Sequence, residues 1–323
     1  MNKSQINLEV INISLSIIVP VYKDSYFAEK FIKNVVTFIG SINLSYYEII
    51  FVIDGGSLND ELILLKLADK HSFVKVIILS RNFGQHIALS VGYKQSNGDY
   101  VCMINIDQQE PVSEIPKLLN HIINNKSIDI VYGLRDRRKD KFTIKITSIF
   151  FYYLLNKLTG NDTPLNIATL RIMSRRFINS YNSFQESSRY IPGLENWLGF
   201  EKDYIQIDHQ ERIEGKSSYN MKKRISMALE SIISFSDVPL KGITFAGFIV
   251  STIGFFALVF LIAIRLYFVD MQPGYTSTLA IIIFLGGLQM VMIGFASIYI
   301  GRILKEVQNR PLYVIKEKIN FDN

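Results

Sequence analysis

Cysteine is nearly missing from this chain: Cys102 is the one example in 323 residues. A lone thiol closes no disulfide within the chain, which suits a reducing compartment and rules out a disulfide-stapled fold. Set in the apolar run VCMINI, Cys102 is expected in the core. Histidine is sparse as well, and His71, His86, His121 and His209 show no metal-ligand spacing. No internal repeat, low-complexity tract or long linker is present. The segment MNKSQINLEVINISLSIIVP lacks the charged-then-long-apolar form of a signal peptide, so its apolar run is expected to be a first strand. Membrane insertion would then depend on the C-terminal part.

Charge of either sign is absent from two stretches, 242–264 and 276–301. Each exceeds the roughly 20 apolar residues that span about 30 Å of hydrocarbon, so two transmembrane helices are expected. The net charge of +6 gathers around them: Lys222, Lys223, Arg224 and Lys241 precede the first, and Arg302, Lys305 and Arg310 follow the second. The loop VDMQPGY carries only an Asp, although Arg265 lies near the end of the first span. This bias puts the N-terminal part and the tail in the cytoplasm and predicts a multi-pass protein of the cytoplasmic membrane. Because the basic residues hug the spans, a lipid surface is the expected partner and nucleic acid is not. Gly286, Gly287 and Gln289 permit close helix packing, within one chain or in a homo-oligomer.

Before the spans, strand and helix signals alternate. LSIIVPVY (15–22), YEIIFVID (47–54), VKVIILS (74–80), 99–106 and IDIVYG (128–133) read as strands. Helices are expected over 25–39, with Phe27, Phe31, Val35 and Phe38 on one face, over ELILLKLADK, and over 84–96. This alternation predicts an α/β fold with a mostly parallel sheet covered by helices. The segments 143–158 and 221–236 read as amphipathic helices at the membrane face, the first also fitting a core helix. The expected plan is a catalytic domain over 1–220, a juxtamembrane helix and linker over 221–241, a transmembrane hairpin over 242–301 and a cytoplasmic tail over 302–323.

Asp54, Arg81 and Asp107 each follow a predicted strand, where the ligands of open α/β sheets bind. Asp107, Gln109 and Glu110 together form an oxygen-rich cluster that suits a divalent cation holding a diphosphate. Arg81 in Ser80-Arg81-Asn82-Phe83-Gly84 can pair with phosphate through its planar fork.

These segments, with Leu194-Glu195-Asn196-Trp197-Leu198-Gly199-Phe200, Glu211 to Tyr219, Ser236 to Lys241 and Asn309-Arg310-Pro311-Leu312-Tyr313, resemble the family-two glycosyltransferases. The closest likeness is to their membrane-anchored polyprenyl-phosphate branch, similar to dolichol-phosphate mannose synthase, and it runs from about 15 to 315. The resemblance implies a GT-A-type, Rossmann-like fold and a Mg²⁺ or Mn²⁺ cofactor bound by Asp107 and Glu110. It implies a nucleotide-sugar donor held by Pro20, Tyr22, Asp54 and Arg81, and catalysis around Asp107, Gln109 and Glu110. A polyprenyl-phosphate acceptor is expected at Arg135, Arg138, Arg175, Lys216 and Ser217. The implied reaction is inverting transfer of a sugar to undecaprenyl phosphate at the cytoplasmic membrane face, for cell-envelope polysaccharide. Three positions depart from the family pattern: Ile53, Asn105 and Thr169 stand where acidic residues are usual. A phosphate acceptor is already largely dianionic at neutral pH and tolerates the loss at 169, whereas a hydroxyl acceptor needs a general base. Transfer to a sugar hydroxyl of a lipid-linked glycan, with Glu195 or another acid as base, and a degenerate nucleotide- or lipid-binding scaffold stay open as alternatives.

Overall fold

The computed structural model describes residues 13–40, 42, 44–107, 109–135, 164, 166–187, 189–208, 238–267 and 274–321. The expected amphipathic helices at 143–158 and 221–236 lie outside the described residues. The chain divides into two compact units, one of residues 1–156, 161–220 and 311–323, the other of 157–160 and 221–310.

The first unit is built on an eight-stranded sheet. Its strands are β1 (Ser14–Val21), β2 (Tyr46–Ile53), β3 (Val74–Leu79), β4 (Tyr100–Met103), β5 (Ile130–Arg135), β6 (Ile167–Ser174), β7 (Lys202–Ile207) and β8 (Ile315–Ile319). They lie in the order β7-β5-β6-β4-β1-β2-β3-β8. β4, β1, β2 and β3 pair in parallel, as do β5 and β7, whereas β6 and β8 pair antiparallel with their neighbours. The mostly parallel sheet read from the sequence is therefore present, with two reversed strands. Every residue of β3 is buried, the pattern of a strand covered on both faces. Within it Lys75 pairs with Glu48 at 2.8 Å, and Glu48 also accepts from the Ser16 hydroxyl at 2.6 Å. That buried polar knot ties β1, β2 and β3 near their N-terminal ends.

Helices α1 (Ala28–Ile39), α2 (Leu58–Lys70), α3 (Gln85–Gln95), α4 (Ile115–Asn124), α5 (Arg175–Asn182) and α6 (Ile191–Trp197) belong to this unit. α1 buries Ala28, Phe31, Ile32, Val35 and Ile39, so its apolar face is rotated from the expected one and Phe38 stays 38% exposed. α2 opens with a capping box in which Ser57 and Asp60 exchange side-chain and backbone hydrogen bonds, fixing the first turn.

The second unit contains α7 (Val238–Tyr267) and α8 (Tyr275–Val307), matching the two uncharged stretches. Among the described residues, Phe284–Val307 is long and apolar enough to cross a membrane, and Leu240–Phe256 is a shorter apolar stretch. A Cβ at Gly247 would stand 2.8 Å from the Met292 methyl, so the small residue lets these helices approach.

Candidate active site

The chain runs outward from β1 to β2 and β3, then returns to β4 on the other side of β1. The crevice at the C-terminal ends of strands flanking such a switch is where ligands of doubly wound sheets bind. Asp54, Arg81, Asn105, Asp107 and Arg135 all follow or end the strands that open on this edge.

On one side, Asp54 is buried and acts within the protein. Its carboxylate accepts from the backbone N–H groups of Phe83, at 2.6 Å, and Gly84, at 2.9 Å. Its carbonyl accepts from the Asn82 amide at 3.1 Å. The Ser80–Gly84 motif is thus folded onto the end of β2. Gly55, at φ 68°, makes the approach feasible, because a Cβ there would stand 2.3 Å from the Asn82 nitrogen. Asp54, expected as a nucleotide ligand, shapes the turn that carries Arg81, each carboxylate oxygen taking one backbone N–H. Arg81 itself is exposed, its guanidinium lying 4.1 Å over the Phe83 ring.

Past β4, Asn105 donates to the Thr169 hydroxyl and accepts from Gln85, both at 3.2 Å. Asp107 is partly exposed and accepts from the Gln109 N–H at 3.3 Å, a local turn. Glu110, expected as a second metal ligand, is buried. One of its oxygens takes Arg135 Nε and Nη2, at 3.2 and 2.7 Å, and the Thr169 N–H at 2.8 Å. The other takes the Leu170 N–H at 2.9 Å. Glu110 therefore sews the end of β5 and the start of β6 to the loop after β4, and Arg135 is engaged with it. Among the described residues no three His, Cys, Asp or Glu side chains gather as a metal site. The donor set at this edge, the Asp107 carboxylate and the neutral Asn105 oxygen, fits a hydrated divalent cation that draws its other ligands from a diphosphate and water.

The other expected residues divide by position. Pro20 is the penultimate position of β1 beside Val52, and Tyr22, just beyond β1, is 47% exposed. Arg175 is not brought to the crevice. β6 runs antiparallel to β4, pairing Tyr100 with Ser174, so Arg175 emerges at the opposite edge and donates to the Gly98 carbonyl and the Ser96 hydroxyl. Arg138, Lys216 and Ser217 lie outside the described residues. Cys102 is fully buried, and burial pushes its thiol well up, as a core residue requires.

Arg171 and Glu195 form a pair across β6 and α6 that their sequence separation does not disclose. Arg171 Nη1 donates to Glu195 Oε2 at 2.5 Å and both side chains are buried. Burial opposes the Arg171 charge, and Glu195 beside it more than restores it. A charged residue inside an otherwise apolar strand, IATLRIMS, was the available signal.

The description Glycosyl transferase family 2 matches residues 16–181, just over half of the chain. The bactoprenol glucosyl transferase of Shigella phage SfII is 34% identical over 304 residues, covering 94% of this chain and 97% of that protein. An uncharacterized glycosyltransferase of Synechocystis sp. is 32% identical over 308 residues, covering 94% of this chain and 95% of the relative. Among solved structures, glucosyl-3-phosphoglycerate synthase from Mycobacterium tuberculosis with Mn²⁺, UDP-glucose and phosphoglyceric acid aligns with a TM-score of 0.50 at 14% identity. That alignment covers 70% of this chain and 81% of the other, and it bears on the fold, which is of the GT-A type. By the matched domain and by identity over nearly its whole length, this chain belongs to glycosyl transferase family 2.

Proposed function

We propose that this glycosyltransferase moves a sugar from a nucleotide diphosphate to a polyprenyl phosphate, with inversion, at the cytoplasmic face of the membrane. The observation that carries the reading is the near full-length similarity to bactoprenol glucosyl transferases, 34% over 304 residues, in a chain with Arg81 beyond the end of β3 and Asp107 beyond the end of β4. In this reading a phosphate oxygen of the lipid attacks the anomeric carbon from the face opposite the leaving group. The new C–O bond forms as the bond to the diphosphate breaks, and the electron pair leaves on the diphosphate. A phosphate monoester is mostly dianionic at neutral pH, so the attack needs no general base. Thr169 supports this, since its hydroxyl is engaged with the Asn105 amide at the position where relatives of this type carry an acid.

Arg81 supplies an exposed cation for the donor diphosphate, and Asp107 the carboxylate for the accompanying Mg²⁺ or Mn²⁺. When bound, that ion would neutralise the departing diphosphate. Asp54 and Glu110 hold the two loops that carry these groups. Arg138, Lys216 and Ser217 are proposed for the lipid phosphate, and the hairpin of α7 and α8 for anchoring in a multi-pass arrangement. The test is incubation of detergent-purified protein with Mg²⁺, a short-chain polyprenyl phosphate and a panel of nucleotide sugars, read by mass. A polyprenyl-phosphate-sugar adduct is the expected product. Transfer only to a glycan hydroxyl would overturn the acceptor assignment.

A further inference from the structure

Residues of β5, β6, β7 and α6 line a half-open pocket of about 200 Å³, among them Tyr132, Thr169, Arg171, Tyr190, Glu195 and Tyr204. At roughly 30 Å³ per liquid water that space equals about seven waters, room for one sugar ring. It falls short of the ~300 Å³ at which pockets for larger ligands begin. The cavity borders the candidate active site through Thr169, which bonds Asn105, two residues before Asp107. Tyr132 and Tyr204 stack with centroids 5.5 Å apart and planes at 20°, an aromatic wall of the kind the C–H face of a sugar packs on.

Glu195 is the polar group of this cavity that stands unfinished. It is 5% exposed, and Oε2 accepts from Arg171 at 2.5 Å and from the Tyr132 hydroxyl at 3.0 Å. Oε1 is equally enclosed and has no hydrogen-bond partner among the described residues. A buried carboxylate oxygen without a donor is costly, and a ligand hydroxyl would remove that cost. The ion pair with Arg171 engages one carboxylate oxygen and leaves the other without a donor among the described residues.

We propose that Glu195 determines sugar specificity: its Oε1 accepts a hydrogen bond from a hydroxyl of the sugar carried by the nucleotide diphosphate. The inference rests on the proposed transfer for the identity of the ligand and is tested without the acceptor. Binding of a nucleotide sugar and of its single-deoxy analogues to the full-length protein is measured by calorimetry, for wild type and Glu195→Gln. One deoxy position should weaken wild-type binding about 10- to 100-fold, as expected for a hydrogen bond to a charged group. The same deletion should cost Glu195→Gln only about 3- to 10-fold, the square root of the wild-type penalty, because a neutral acceptor of roughly half the strength replaces the charged one. An equal penalty in both proteins overturns the proposal and leaves Oε1 a water site only. If Glu195→Gln fails to fold, the wild-type series still decides: no deoxy position costing 10-fold overturns it. The selective penalty without transfer to polyprenyl phosphate would sink the proposed acceptor and keep Glu195. Transfer without the penalty would do the reverse, and no binding of any nucleotide sugar would overturn both.

Discussion

At Asp107 a carboxylate stays partly exposed beside the crevice, while the Glu110 carboxylate three residues on is buried and takes four hydrogen bonds from Arg135, Thr169 and Leu170. Substitution should separate the two. Asp107→Ala is expected to lower kcat/KM for sugar transfer by at least ~100-fold, the scale of losing a charge-stabilising group, with an unchanged denaturation midpoint. Glu110→Gln strips Arg135 of its buried partner and should cost about 3 kcal/mol in chemical denaturation. His86 gives a pH signature. Burial, helped by the Arg171 charge, pushes its imidazole down from the ordinary 6.5 to about 4. Between those values the unfolded chain binds a proton that the folded chain does not, so stability is full above pH 6.5 and falls as pH drops through the window. The loss by pH 4.5 is on the order of 2 kcal/mol, and His86→Gln should remove that part of the pH dependence. Residue types at this site were legible in the sequence, but their partners were not. The acid at 54 was visible after a strand, yet only the folded chain brings the Phe83 and Gly84 N–H groups onto it.

At the scale of elements, strands β1 to β5 were legible because each is a compact apolar run, which buried parallel strands demand. β6 was not, since Arg171 breaks its run and its direction depends on pairing with β4 and β5. That reversal is also why Arg175 lands away from the crevice. β8 was hidden for another reason. IKEKI sets three charged, exposed residues between two isoleucines, the charged character common in edge strands, and reads as a polar tail. It nonetheless pairs with β3, Lys316 meets Glu61 at 2.9 Å, and the Ser80 N–H donates to the Val314 carbonyl at 2.9 Å. Because Ser80 begins the turn that carries Arg81, truncation after Arg310 should do two things. It should expose the β3 edge, raising aggregation in size-exclusion chromatography, and it should weaken nucleotide-sugar binding by roughly 10-fold, about 1.4 kcal/mol.

At the scale of the whole molecule, β7 ends at Ile207 and β8 begins at Ile315, and both belong to one sheet although α7 and α8 lie between them in the chain. Whatever the intervening chain does at a bilayer, it must finish on the side where it began. If Phe284–Val307 crosses, connectivity requires a second crossing before it, and α7 is the described helix with the length to supply it. Thiol labelling suits the test, because the only native cysteine is fully buried. Gln272→Cys, between the helices, should react with an impermeant reagent from the outer face of intact cells, while Glu317→Cys should react only after permeabilisation. The parity has a consequence for biogenesis: a chain that inserts one helix and not the other cannot deliver its last strand to the sheet. If both helices cross, closure of the β3 edge would serve as a check on insertion, and half-inserted chains would keep an open strand edge, a template for pairing with other chains.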